Sequence, residues 1–131
     1  METLLIITNN PAVEAHYLGC AMRLCADYQQ VLLTARDAIH LGRCLLMHPE
    51  SGSITPAQTP YRSLLLGSCQ CQLDVLSLEM IENALTRYRS FSAASRAGKW
   101  REAELQDFQL IDLNLLREAV NKAPGMFRWG Q

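Results

Sequence analysis

One stretch of the chain concentrates the side chains that could do chemistry. Between the apolar runs Cys44–Met47 and Leu64–Leu66 lie His48, Ser51, Gly52, Ser53, Thr59, Tyr61 and Arg62. Pro49, Pro56 and Pro60 keep this segment from being a helix, because proline lacks the N–H and clashes with the preceding turn. A long loop in a compact domain is usually functional or disordered. Here it is expected to be ordered without ligand and to form one wall of the main pocket. An imidazole titrates near neutral pH, so His48 is a candidate general acid–base. A histidine at this position can equally hydrogen-bond the loop backbone and fix its shape. Ser51-Gly52-Ser53 can present backbone N–H groups as a small anion nest, or can be a plain turn. It is neither a Walker loop nor a nucleophile elbow, since neither glycine pattern is present.

Two further clusters bear on the same loop. Arg36, Asp37 and His40 share one face of a helix by their spacing. Arg36 or Arg62 could clamp a substrate carboxylate with a bidentate guanidinium. The plainer reading makes Asp37 and His40 structural support, with Arg36 and Asp37 pinning the loop through charged hydrogen bonds. Thr8-Asn9-Asn10-Pro11 ends the first apolar run, with Asn10 as N-cap and Pro11 at the first helical position. Strand ends and helix N-termini attract ligands and anions in open α/β sheets, so Thr8, Asn9 and Asn10 join the candidate site. Cys69-Gln70-Cys71 lacks the second pair that a zinc site requires, so no metal and no cofactor is expected.

The elements that must position these residues follow from periodicity. Leu4–Ile7 is a continuous apolar run suited to a strand buried on both faces. A helix from Pro11 to Tyr17 follows, then a strand within Ala21–Ala26. Asp27 and Gln30 form a capping box for a helix Tyr28–Leu41, with Tyr28, Val31, Leu32, Ala35 and Ile39 inward and Gly42 as stop. Cys44–Met47 and Arg62–Gly67 are the third and fourth strands. Ser77 can cap a helix from Leu78 to about Ala94, with Leu78, Ile81, Leu85 and Tyr88 inward. Leu105, Phe108, Ile111, Leu115 and Ala119 keep helical spacing. Asp112 fits equally as the cap of a separate helix, Leu113 to Asn121. Strands alternating with helices predict a single three-layer α/β/α domain over residues 1–131, with a mostly parallel four-stranded sheet and C-terminal helices. Leu4–Ile7 and Cys44–Met47 are predicted to be adjacent and parallel, which would bring His48 near Asn9.

Composition sets outer bounds. The chain has 131 residues, 49% hydrophobic and 19% charged, with a formal net charge of -1. That is one ordinary globular domain, with no electrostatic reason to expect nucleic acid or an anionic membrane as partner. Cations are mostly Arg, ten against Lys99 and Lys122, which mildly favours anion contacts. The start of the chain lacks the basic region of a signal peptide, and no apolar run reaches membrane-spanning length. Five cysteines, an odd number, point to reduced thiols in a cytoplasm and no disulfide.

Thr8-Asn9-Asn10-Pro11, Arg36-Asp37 with His40 and Gly42, His48-Pro49, Ser51-Gly52-Ser53, Pro56 and Thr59-Pro60-Tyr61 together resemble the GrdX family. These are small proteins encoded beside glycine, sarcosine and betaine reductase components in anaerobic amino-acid metabolism. The resemblance covers Thr3 to about Tyr61, and more loosely Asp107-Phe108-Gln109 to Asp112. It implies a cytoplasmic protein tied to that reductase system, and it carries no catalytic residues to transfer. The reading is then an accessory or regulatory protein that binds a small anionic metabolite or a reductase component at the His48–Ser63 loop. A small enzyme using His48 as acid–base on an amino-acid or acyl derivative is the alternative. A pure protein-interaction module is the third. Oligomeric state stays open, a homo-oligomer included.

Overall fold

A computed structural model describes residues 4–53, 59–69, 73–91 and 100–123. Pro56, Cys71 and the expected helix end near Ala94 lie outside them. Four strands form one sheet: β1 Leu5–Thr8, β2 Met22–Leu24, β3 Arg43–Leu45 and β4 Ser63–Ser68. The helices are α1 Pro11–His16, α2 Tyr28–His40, α3 Val75–Ser90 and α4 Glu102–Lys122. The α/β class and all four expected strands are present.

The sheet is mixed, in the order β2-β1-β4-β3. Only β1 and β2 pair in parallel, and β4 runs antiparallel to both β1 and β3. The expectations of a mostly parallel sheet and of adjacent first and third strands are therefore wrong. The reason lies in the connections. A parallel neighbour needs a crossover, usually through a helix, whereas a chain that simply turns back gives an antiparallel partner. α1 supplies such a crossover between β1 and β2. Between β3 and β4 the described residues hold only a short 3₁₀ turn, Ser51–Ser53, so β4 returns along β3 and then pairs with β1.

The apolar runs place the core. Leu5, Ile7, Leu64 and Leu66 pack with Tyr28, Val31, Leu32, Ala35 and Ile39 of α2 and with Ile81 and Leu85 of α3. The intervening Leu4, Ile6 and Leu65 pack with Val13, Tyr17 and, on α4, Leu116 and Ala119. Alternation along a strand sends successive side chains to opposite faces, and the two clusters divide by that alternation.

Local signals set most boundaries. Asn10 Oδ1 accepts from the Ala12 amide at 2.9 Å and starts α1. Asp27 Oδ1 accepts from Gln30 N at 2.8 Å, while the Gln30 side chain reaches back to Ala26 N at 2.6 Å, one residue beyond the usual capping box. Gly42 takes φ +105, as a helix stop in the left-handed region requires. Ser77 does not begin α3. It lies in the first turn after Asp74, donating to Asp74 Oδ2 and accepting from Leu45 N at 2.8 Å, which fastens α3 to the end of the edge strand β3.

Residues 102–122 form one continuous helix, so Asp112 is not a cap but an interior residue. Its buried stripe runs through Asp112, Leu116 and Ala119, with Leu113 and Val120 beside it. Ile111, one of the residues that keep helical spacing, is 42% exposed. The observed stripe shares Ala119 with the expected spacing but takes in Asp112 and Leu116 in place of Ile111 and Leu115, and hydrophobic periodicity passes over a carboxylate.

Candidate functional site

The residues of the first strand end do meet, but around an internal partner. Thr8, Asn10, Ser63 and Asp112 are all buried. Asp112 Oδ1 accepts from the Ser63 amide at 3.0 Å. Asp112 Oδ2 accepts from Ser63 Oγ at 2.6 Å and from Asn10 Nδ2 at 3.0 Å. Ser63 has one hydroxyl proton and gives it to the carboxylate, so the 2.6 Å contact between Ser63 Oγ and Thr8 Oγ1 must carry the threonine proton. Thr8 Oγ1 in turn accepts from the Asn10 amide at 2.9 Å. The result is a directed chain from backbone N–H through two hydroxyls to a carboxylate. Such chains polarise one another and gain strength together.

Asn10 Nδ2 also donates to Gln109 O at 2.9 Å, which completes its use. Asn9 faces the incoming loop: its Nδ2 donates to Pro60 O at 2.8 Å and its Oδ1 accepts from Arg62 N at 2.9 Å. Thr59 Oγ1 accepts from Tyr61 N at 3.2 Å, and Tyr61 Oη accepts from Gln109 Nε2 at 3.0 Å. Thr8, Asn9, Asn10, Thr59 and Tyr61 are thus brought together as a joint between β1, β4 and α4. The Asn10 and Ser63 donors there are taken by the chain's own carboxylate, Asp112, which the sequence left open as the cap of a separate helix or a residue within a longer one.

Arg62 is 1% exposed, so it does not present a guanidinium to solvent. It lies over the Tyr28 ring, 5.6 Å from the centroid, and Nη1 donates to Ser51 O at 3.2 Å. Burial pushes the Tyr28 phenol above its ordinary range, and the Arg62 charge offsets part of that. Arg36 pairs with its neighbour Asp37 at 3.6 Å, and the Asp37 side chain is 70% exposed. Among the described residues neither reaches the loop, so the expected pinning by Arg36 and Asp37 is replaced by other ties. His40 is exposed in the last turn of α2, where a cation suits the helix dipole.

Those other ties hold the loop's first turn. The Ser51 amide and hydroxyl donate to His48 O at 3.1 and 2.6 Å. The Glu50 carboxylate accepts twice from Arg87 of α3, at 2.6 and 2.9 Å. That fork raises the Arg87 pKa further above its usual range. Gly52 has φ +80, and a Cβ there would lie 3.0 Å from Leu115 Cδ1. Only glycine accepts that backbone together with that approach.

His48 is exposed, and its Nδ1 accepts from the Glu50 amide at 3.0 Å. In the neutral ring the proton must then sit on Nε2, which leaves an N–H donor available. His48, Ser51 and Gly52 form one side of an open cleft of about 430 Å³. The other side is α4, through Leu115, Glu118, Ala119 and Lys122, with Leu46 and Met47 between. Of the expected site residues, then, His48, Ser51 and Gly52 reach the cleft, and Ser53 closes the turn beside it. Glu118 and Lys122 were missed. Their four-residue spacing reads as an ordinary helix-surface pair, and only the packing of α4 against the loop puts them here.

No group of three His, Cys, Asp or Glu among the described residues could hold a metal. Cys20, Cys25 and Cys69 are free thiols. Burial raises the Cys20 pKa. No described helix is long and apolar enough to cross a membrane.

A small α/β protein with a loop-and-helix cleft is what the geometry defines. The model of the family described as GrdX-like protein matches residues 5–121, and the chain belongs to that family. Membership fits an association with glycine reductase systems. Searches of the curated proteins and of the solved structures find no match to the chain.

Proposed function

We propose that this chain is an accessory or regulatory component of a glycine, betaine or sarcosine reductase-type system in the cytoplasm. It binds a small carboxylate-bearing metabolite and does not convert it. The observation that carries this reading is the cleft between the His48 loop and α4, with the His48 Nε2–H and the Lys122 ammonium available on its walls. Both suit a carboxylate. The histidine's ring is held by a backbone amide and not by a carboxylate, which favours a binding donor over an acid–base catalyst. The test is a reductase system reconstituted from purified components, with and without the chain. The unaltered chain should shift the dependence of reductase rate on substrate concentration, and Lys122→Ala and His48→Ala chains should not. Equal effects from all three would overturn the reading.

One observation favours a second reading, docking of a reductase component. Val75 and Leu76 at the start of α3 are 60% and 64% exposed, and Leu110 and Ile111 of α4 also expose apolar surface. If these faces dock a component, Leu76→Glu should abolish co-elution with it while leaving carboxylate binding intact.

A further inference from the structure

Glu118 and Lys122 lie four residues apart on α4, glutamate first, the arrangement in which helix-surface charges usually pair. Yet no ion pair among the described residues uses either of them. Instead both line the same cleft, with His48 opposite. The cleft therefore carries two donors for a carboxylate and one carboxylate of its own. Between them lies an apolar floor of Leu46, Met47, Leu115 and Ala119.

We propose that the cleft is a site for a zwitterionic α-amino acid with an aliphatic or thioether side chain. The ligand carboxylate meets the His48 Nε2–H and Lys122. Its ammonium meets Glu118, and its side chain lies on the apolar floor. A primary ammonium suits this wall because it brings three N–H donors to one carboxylate. A quaternary ammonium suits it less, since no Phe, Tyr or Trp among the described residues lines the cleft to supply a cation–π cage. The volume, about 430 Å³, lies in the range of small-molecule sites and leaves room for a side chain beyond the α-carbon. This inference rests on the reading of the cleft as a carboxylate site and adds the ammonium partner and the side-chain floor.

The experiment is a titration of the full ¹⁵N-labelled chain, followed at the Gly52 and Lys122 amides. Four probes are compared: leucine, 4-methylpentanoate (leucine without its amino group), isoamylamine (leucine without its carboxylate) and betaine. Leucine should bind about tenfold or more tighter than each of the other three, the worth of one charge-assisted hydrogen bond. In Glu118→Gln leucine should fall to the level of 4-methylpentanoate, whose own affinity should stay the same or rise. Glu118 is exposed, so this variant should fold normally. Equal binding of leucine and 4-methylpentanoate to the unaltered chain would overturn the inference and leave the carboxylate site standing. Binding of betaine as tight as leucine would also overturn it. Binding of none of the four would overturn the inference and the carboxylate site together.

Discussion

Two regions of this molecule gather polar side chains, and they do so in opposite ways. At the end of β1, Thr8, Asn10, Ser63 and Asp112 are buried and bonded to one another. At the other region, between the His48 turn and α4, the charged groups line open space, and Glu118 and Lys122 have no ion-pair partner among the described residues. A buried polar group must be satisfied internally, so the first region can be complete only as structure. A solvated group beside a concave apolar surface has bonding capacity left for something else. Clustering of polar residues in a sequence does not distinguish the two cases; the presence of an internal partner does.

The contrast breaks most visibly at Asp112. Asp112→Ala leaves three buried donors without an acceptor, at about 1–3 kcal/mol each, less the relief of removing a buried charge. Urea unfolding should show a loss of roughly 3–5 kcal/mol. Asp112→Asn should lose less, since its amide keeps one acceptor oxygen. A loss below about 1 kcal/mol for the alanine variant would mean that the joint is not structural.

Next in size is Gly52→Ala. The positive φ and the approach of Leu115 should cost roughly 1–3 kcal/mol and narrow the cleft, lowering ligand affinity as well. This is the one substitution expected to affect both regions' readouts, stability and binding.

His48→Ala and Asp37→Ala should both be close to neutral for folding. His48 gives up one exposed acceptor, a loss of less than about 1 kcal/mol, and should weaken binding in the cleft. Asp37 is exposed and should change stability by no more than about 0.5 kcal/mol, with no effect on binding. A large stability loss at His48 would move it from the cleft to the scaffold.

The smallest effect is alkaline. The Tyr28 pKa is raised in the folded chain, chiefly by burial. Its contribution to stability is whole below the unfolded value of about 10 and is lost as pH rises through the folded value. Tyr17, also raised by burial, adds to the same limb. Thermal unfolding should be level in this respect at neutral pH and should fall above pH about 10, and the fall should be shallower in Tyr28→Phe.

Much of the fold was legible in the residues. Four strand segments, the Asn10 and Asp27 caps, the Gly42 stop and the inward face of α2 all follow from local chemistry. Strand order was not legible, because apolar runs such as Leu4–Ile7 and Leu64–Leu66 specify burial and not neighbours. Nor was the phase of α4, since Asp112 interrupts its apolar stripe and fits a cap as well as a helix interior until its three donors are seen in space. The site was half legible. His48, Ser51 and Gly52 stood out in a loop, whereas Glu118 and Lys122 did not stand out among the other charged residues of a helix surface.

On the proposed function, the cleft takes up a carboxylate and the strand-end joint does not. This is tested most directly by titrating the ¹⁵N-labelled chain with 4-methylpentanoate and mapping which backbone amides move. Shifts are expected at His48, Ser51, Gly52 and residues 118–122, saturating together, with Thr8, Asn10 and Ser63 unmoved. Saturable shifts centred on Asn9, Asn10 and Ser63 would contradict that reading, because they would place the ligand where Asp112 now sits.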